Sequence, residues 1–205
     1  MSTPQDLMIV SMDVASSPPV EAGDLSLALA GAEVIDLLRA GAVTLDGQRL
    51  VPRSAPATGD HLLDQAASAL VDQEPYESVE DWLWRRGRNL SSVYRAGLRA
   101  TGLTAVSTPR WRPWAAGEPV LLDSPARGEA LGRRASGEPV LTALAGAAGI
   151  SGDSRAGEGA AESAGVTDDA VATVLAAVHD AVEELQSVRQ RKDIENTAFD
   201  NIWRA

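Results

Sequence analysis

The sequence predicts a mainly α-helical fold, and three observations predict it. Aromatic residues make up only 4% of the 205 residues while 44% are hydrophobic, so the core is built from Leu, Val, Ile and Ala, a composition that suits packed helices. Val171, Val174, Leu175, Val178, Val182, Leu185 and Val188 form one apolar stripe at 3.6-residue spacing. Residues able to cap a helix, Asp60, Ser78, Asn89 and Ser124, each stand just ahead of a helical stretch. The length fits one domain over residues 1–205, large enough to bury a core without staples.

Taken in order, Leu7-Met8-Ile9-Val10 is short enough to be a strand or a single helical turn. From Asp24 the run LSLALAGAEVIDLLRAG predicts a buried helix, with Gly41 where its C-cap falls. AVTLDGQRLV predicts a hairpin turning at Asp46-Gly47, the dipeptide suited to positive φ angles. Asp60 caps a helix with the face Leu62, Leu63, Ala66, Leu70 and Val71. Ser78-Val79-Glu80-Asp81 resembles a capping box opening a helix that Gly87 ends, and Asn89 starts another that runs to Gly102.

Pro109, Pro113 and Pro119 interrupt β-prone pieces between Leu103 and Leu122, which predicts an exposed hairpin or long loop carrying Trp111 and Trp114. Pro125 and Pro139 each restart a helix, the second small and apolar almost all round and so expected to be central. Residues 151–166 lack any apolar period and are expected to form a mobile loop. A long amphipathic helix follows Thr167-Asp168-Asp169. Arg189, Arg191 and Lys192 are expected in its last turn, and a shorter segment with Ile194, Phe199, Ile202 and Trp203 closes the chain.

The chemistry that can be excluded is extensive. No cysteine is present, so disulfides and thiolate metal sites are ruled out, which is compatible with cytoplasm. No segment is long enough to span a bilayer, and the first residues do not read as a secretion signal. A net charge of −11 disfavours nucleic acid. His61 and His179 stand apart from any triad or metal pattern, and the glycines around Gly146 and Gly157 lack the lysine and hydroxyl of a phosphate loop. Asp60 and Asp64 share a helix face, but capping explains Asp60 better than a cation does. The expectation is a binding protein, not an enzyme, without a metal or other cofactor.

One segment stands out. Arg85, Arg86, Arg88, Arg95, Arg99, Arg110 and Arg112 fall in a stretch without a single Asp or Glu, inside an otherwise acidic molecule. Trp82, Trp84, Trp111 and Trp114 are interleaved with them. Guanidinium groups hold phosphates bidentately and tryptophan suits a membrane interface, so the combination fits an anionic lipid headgroup. The plainer reading is that Trp82 and Leu83 face the core and several arginines pair with carboxylates elsewhere.

The run GAEVIDLLRAGAVTL, the hairpin after it, PATGDHLLDQAASAL with its Thr58-Gly59-Asp60 triplet, and SVEDWLWRRGRN resemble the Golgi phosphoprotein 3 family, including its bacterial members. The resemblance implies a central helix group wrapped by amphipathic helices with small surface β-hairpins, and peripheral binding to membranes bearing phosphatidylinositol 4-phosphate. It also implies, for eukaryotic members, an adaptor role towards protein tails. Aligned with the family's headgroup pocket, Glu21 takes the place of a Trp, Ala30 and Ser91 take the places of two Arg, and Arg88 matches a third. One arginine contributes about 1–3 kcal/mol, so Arg85, Arg86 and Arg95 are expected to assist Arg88. The membrane-inserting hairpin corresponds to Arg110, Trp111, Arg112 and Trp114.

The reading is thus a cytoplasmic protein that associates reversibly with membrane through an anionic phospholipid or phosphoinositide. The alternative is a soluble adaptor or regulatory module that has lost the lipid pocket and binds a protein partner.

Overall fold

The structure, a computed structural model, describes residues 1–14, 19–107, 118–150 and 168–203, with side chains as far as residue 195. Among these residues eight helices and two small antiparallel hairpins occur, a mainly α fold with β confined to the surface. The expected loop at 151–166 lies outside the described residues, as do Arg110, Trp111, Arg112 and Trp114.

Helix α1 (Thr3–Asp13) resolves the ambiguity at Leu7–Val10. It is neither a strand nor a lone turn but three turns of helix, with Pro4 tolerated in the first turn and Leu7, Met8, Ile9 and Val10 all fully buried. Helix α2 (Ala22–Arg39) is the hub, packing against six other helices and the first hairpin. Leu25, Leu27, Leu29, Val34, Ile35 and Leu37 bury apolar surface on every side, as a helix apolar all round must. Gly41 follows its end at φ 67°, the left-handed position glycine takes without cost.

Strands β1 (Val43–Asp46) and β2 (Arg49–Pro52) pair as expected, but Asp46 lies opposite Arg49, so the loop is Gly47-Gln48 rather than Asp46-Gly47. Positive φ occurs at Gly47 and not at Gln48, the pattern of a type II′ turn, which needs glycine only at its first position. Helix α3 (His61–Ser68) is capped by Asp60, whose Oδ1 accepts the amides of Leu62 and Leu63. Asp60 Oδ2 also accepts Ser2 Oγ at 2.6 Å and Gln5 Nε2 at 2.8 Å, tying α3 to α1. Helix α4 (Val79–Arg86) starts at Ser78, which accepts the Asp81 amide, and drives Trp82 and Leu83 fully into the core. The Trp82 indole N–H donates to the carbonyl of Ala30 on α2.

Helix α5 (Leu90–Ala100) buries Leu90, Ser91, Tyr94 and Leu98. Strands β3 (Thr104–Ser107) and β4 (Glu118–Leu121) form the second hairpin. Helices α6 (Pro125–Ala135) and α7 (Pro139–Ala147) cover α1, capped by Ser124 and Glu138. Helix α7 packs on α1, α2 and α6, the central place its apolar composition predicts. Val140, Leu141, Leu144 and Ala145 are buried, but Thr142 and Gly146 face solvent. Helix α8 (Asp169–Trp203) is a single 35-residue helix, so Arg189, Arg191 and Lys192 lie in its middle and not in its last turn. Gly31 lets α8 approach α2, since a Cβ there would sit 2.2 Å from Val178 Cγ2.

Candidate functional site

The short link Gly87-Arg88-Asn89 between α4 and α5 meets the N-terminus of α2 beneath the side of α8. A recess of about 340 Å³ opens there, bordered by Gly23, Leu27, Trp84, Arg88, Asn89 and Leu185 among others. The link is held tightly. A Cβ on Gly87 would lie 2.5 Å from the Leu83 carbonyl oxygen, and Asn89 adopts φ 60°, a conformation asparagine tolerates better than most residues.

Asn89 makes no side-chain cap to its own helix. The hydroxyl of Ser26 on α2 replaces it, accepting the Ser91 amide at 3.0 Å and lying 2.6 Å from the Ala22 carbonyl to which it donates. The Ser91 hydroxyl adds a contact of 2.9 Å to the Ser26 hydroxyl. Two buried serines therefore join the first turns of α2 and α5 and make the floor of the recess polar.

The four headgroup candidates divide into two pairs. Arg86 grips Glu33 with two hydrogen bonds of 2.8 and 2.9 Å, and Glu33 also accepts the Tyr94 hydroxyl at 3.0 Å. Glu33 is fully buried in α2. Desolvation raises its pKa, while the Arg86 hydrogen bond and charge and the Tyr94 hydroxyl pull it down. Arg85 grips Glu77 at 2.6 and 2.7 Å, donates to the Ala69 carbonyl and stacks over Trp82. Both guanidinium groups are thus already matched to a carboxylate, which narrows the set of four expected from sequence.

Arg88 and Arg95 are exposed, as is Arg99, and none of the three has an ion pair among the described residues. On α5, Ser92, Arg95 and Arg99 follow one another at helical spacing on the solvent side, opposite the buried stripe of Leu90, Tyr94 and Leu98. An exposed cationic row thus begins at the recess and runs along α5.

Sequence reasoning missed the contacts that brace α8 against α2 next to the recess. Arg189 reaches back from α8 to Asp24 at 2.6 Å, with Gln186 donating to the same carboxylate. That pairing spans more than 160 residues of chain, and no local pattern signals it. Gly23 makes room for it, since a Cβ there would lie 2.5 Å from Arg189 Nη2.

A family model described as Golgi phosphoprotein 3 matches residues 4–185, nearly the whole chain. The chain belongs to the Golgi phosphoprotein 3 family. No curated protein matches it. The Golgi phosphoprotein 3 family is not in general one of enzymes, and it is associated with lipid or protein binding at the Golgi. No helix among the described residues is long and apolar enough to cross a membrane. Of the positions aligned with the family's headgroup pocket, Glu21 is exposed beside the recess as the N-cap of α2, and Arg88 is exposed on its rim. Ser91 lies in its floor, whereas Ala30 is wholly buried beneath Trp82 and contributes nothing to the surface.

Among the described residues no group of three potential metal ligands occurs. His179 is exposed beside Glu183 at 3.1 Å, and His61 is exposed on α3. Asp64 accepts the amide and hydroxyl of Thr58, bonds that lower its pKa and hold the loop ahead of α3.

Proposed function

We propose that this family member is a peripheral, cytoplasmic binder of anionic membrane, taking a phosphate-bearing headgroup of the phosphatidylinositol 4-phosphate kind at the recess between α2 and α5. The observation that carries the reading is the outward row of Arg88, Arg95 and Arg99, without an ion pair among the described residues, on a protein of net charge −11. A cation without a carboxylate partner on an acidic body is available to an external anion, and guanidinium is well shaped for phosphate. Trp84 on the rim supplies an amphipathic ring. Arg85 and Arg86 support the site indirectly, through the carboxylates that fix α4 and its link to α5. Arg110, Trp111, Arg112 and Trp114 keep the interfacial role their composition suggests.

With one arginine at the headgroup position and two further along α5, electrostatic attraction carries more of the binding than stereospecific recognition. Binding then falls with salt and responds to surface charge as well as headgroup identity. The test is co-sedimentation with vesicles of neutral lipid alone, with added phosphatidylserine, and with added phosphatidylinositol 4-phosphate, at low and high salt. Arg88→Ala combined with Arg95→Ala is expected to reduce binding about tenfold or more, since each lost charged contact is worth about 1 kcal/mol. Equal, negligible binding of the unaltered protein to all three surfaces refutes the reading.

The adaptor alternative has one observation in its favour, the commitment of Arg85 and Arg86 to Glu77 and Glu33. It predicts that the Arg88 and Arg95 substitutions change the proteins captured and leave membrane fractionation unaltered.

A further inference from the structure

The mouth of the recess carries two exposed charges of opposite sign. Glu21, the N-cap of α2, makes no side-chain cap bond, and Arg88 stands on the link between α4 and α5 that borders the same recess. Neither has an ion pair among the described residues. They are brought to one mouth because the Ser91 hydroxyl, three residues beyond Arg88, donates at 3.2 Å to the carbonyl of Ala22, the neighbour of Glu21. Asp24 and Arg189 close by already satisfy each other at 2.6 Å. What the mouth offers a ligand is therefore one negative and one positive side chain above a floor of serine hydroxyls.

That pair of charges discriminates between headgroups. One that is anionic throughout gains from Arg88 and loses against Glu21, since like charges repel at such a site as opposite ones attract. One that carries a phosphate and a primary ammonium gains from both, because guanidinium donates to phosphate oxygens while a carboxylate accepts the ammonium N–H groups. A quaternary ammonium has the charge but no N–H to give, so it matches the carboxylate less well.

We propose that the recess selects a phospholipid headgroup bearing a primary amine, of the phosphoethanolamine kind, with its phosphate on Arg88 and its ammonium on Glu21. The proposal rests on the reading of the recess as a headgroup site and adds a selectivity to it. General attraction to an anionic surface stays with Arg95 and Arg99 along α5, and that row delivers the mouth to a membrane. Glu21 is in this way a specificity-determining residue, one that the search for basic and aromatic side chains passes over.

The experiment is co-sedimentation of the full chain with two kinds of vesicle holding the same fraction of phosphatidylglycerol. The rest is phosphatidylcholine in one, and in the other part of that phosphatidylcholine is replaced by phosphatidylethanolamine, which leaves the surface charge unchanged. The unaltered protein is expected to bind the second about threefold to fivefold more tightly, the range of an exposed ion pair. Glu21→Gln is expected to lose this preference and keep its binding to the first, whereas Glu21→Asp, which keeps the charge, retains the preference. The Gln variant also controls for the looser packing of ethanolamine lipids, which acts on it and on the unaltered protein alike. Glycerophosphoethanolamine in solution is expected to compete away the gain, and glycerophosphocholine is not.

Equal binding of the unaltered protein to both vesicles overturns the proposal and leaves the anionic-membrane reading standing, while binding to neither overturns both. A full preference retained by Glu21→Gln overturns the assignment to Glu21. Capture of glycerophosphoethanolamine without any preference among vesicles makes the site one for a free phosphate ester and overturns the lipid.

Discussion

Replacing Arg86 by alanine separates the two roles its charge can have. The guanidinium is half of a pair whose other half, Glu33, is fully buried on the central helix, with Tyr94 as a third member. Removing one partner of such a pair leaves a buried charge uncompensated and costs about 3–5 kcal/mol. For a chain of this size each kcal/mol lowers Tm by about 2–4 °C, so a fall of about 6–20 °C is expected. The loss also depends on pH, with a determined sign. Glu33 has a raised pKa in the folded state, so its contribution to stability is fully present below its ordinary value and is lost as pH rises through the folded one. Arg86 supplies two of the influences that hold this pKa down. Without it the value climbs further, and the deficit is largest at neutral pH and shrinks as acid protonates Glu33. Urea denaturation followed by circular dichroism at about pH 8 and about pH 5 measures both effects. A loss below about 1 kcal/mol, or one independent of pH, would refute the keystone role and return Arg86 to the set of free cations.

Three further outcomes follow from the same geometry. Glu33→Gln keeps an acceptor for Arg86 and Tyr94 but removes the charge, so it is expected to cost only about 1–2 kcal/mol and, because Arg86 stays half-buried against α2, to leave vesicle binding unchanged, checked by denaturation and co-sedimentation together. Gly31→Ala is expected to destabilise by about 1–3 kcal/mol through its clash with Val178, and adding Val178→Ala should recover part of that loss, a non-additivity measured in a double-mutant cycle. Asp6 is buried, pairs with Arg133 through one oxygen and leaves the other without a partner, and desolvation raises its pKa. Its contribution is therefore also lost as pH rises, so Asp6→Asn should flatten the decline in stability on the alkaline side of the carboxylate range in urea titrations at a series of pH values.

Much of the fold was legible because its causes are local. Asp60, Ser78 and Ser124 announce helices by satisfying amides two or three residues away, and the stripe from Val171 to Val188 follows from the helical repeat. The position of the first hairpin turn was one residue off because Asp46-Gly47 and Gly47-Gln48 both place glycine where positive φ is needed, and only cross-strand register distinguishes them. The helix at Leu7–Val10 was ambiguous because a four-residue apolar run fits either period.

The sequence by itself determined the helical class, the caps, the family and the concentration of arginine in one acid-free stretch. Tertiary structure alone decided which of those arginines are available. Glu33 lies more than 50 residues from Arg86, and it is folding that places the two 2.8 Å apart. Whether a charge is spent inside or offered outside depends on partners the chain brings together in space, and charge patterning along a sequence carries no record of them. The same reason hides the recess, whose walls come from α2, α4, α5 and α8 and whose polar floor is a pair of serines 65 residues apart.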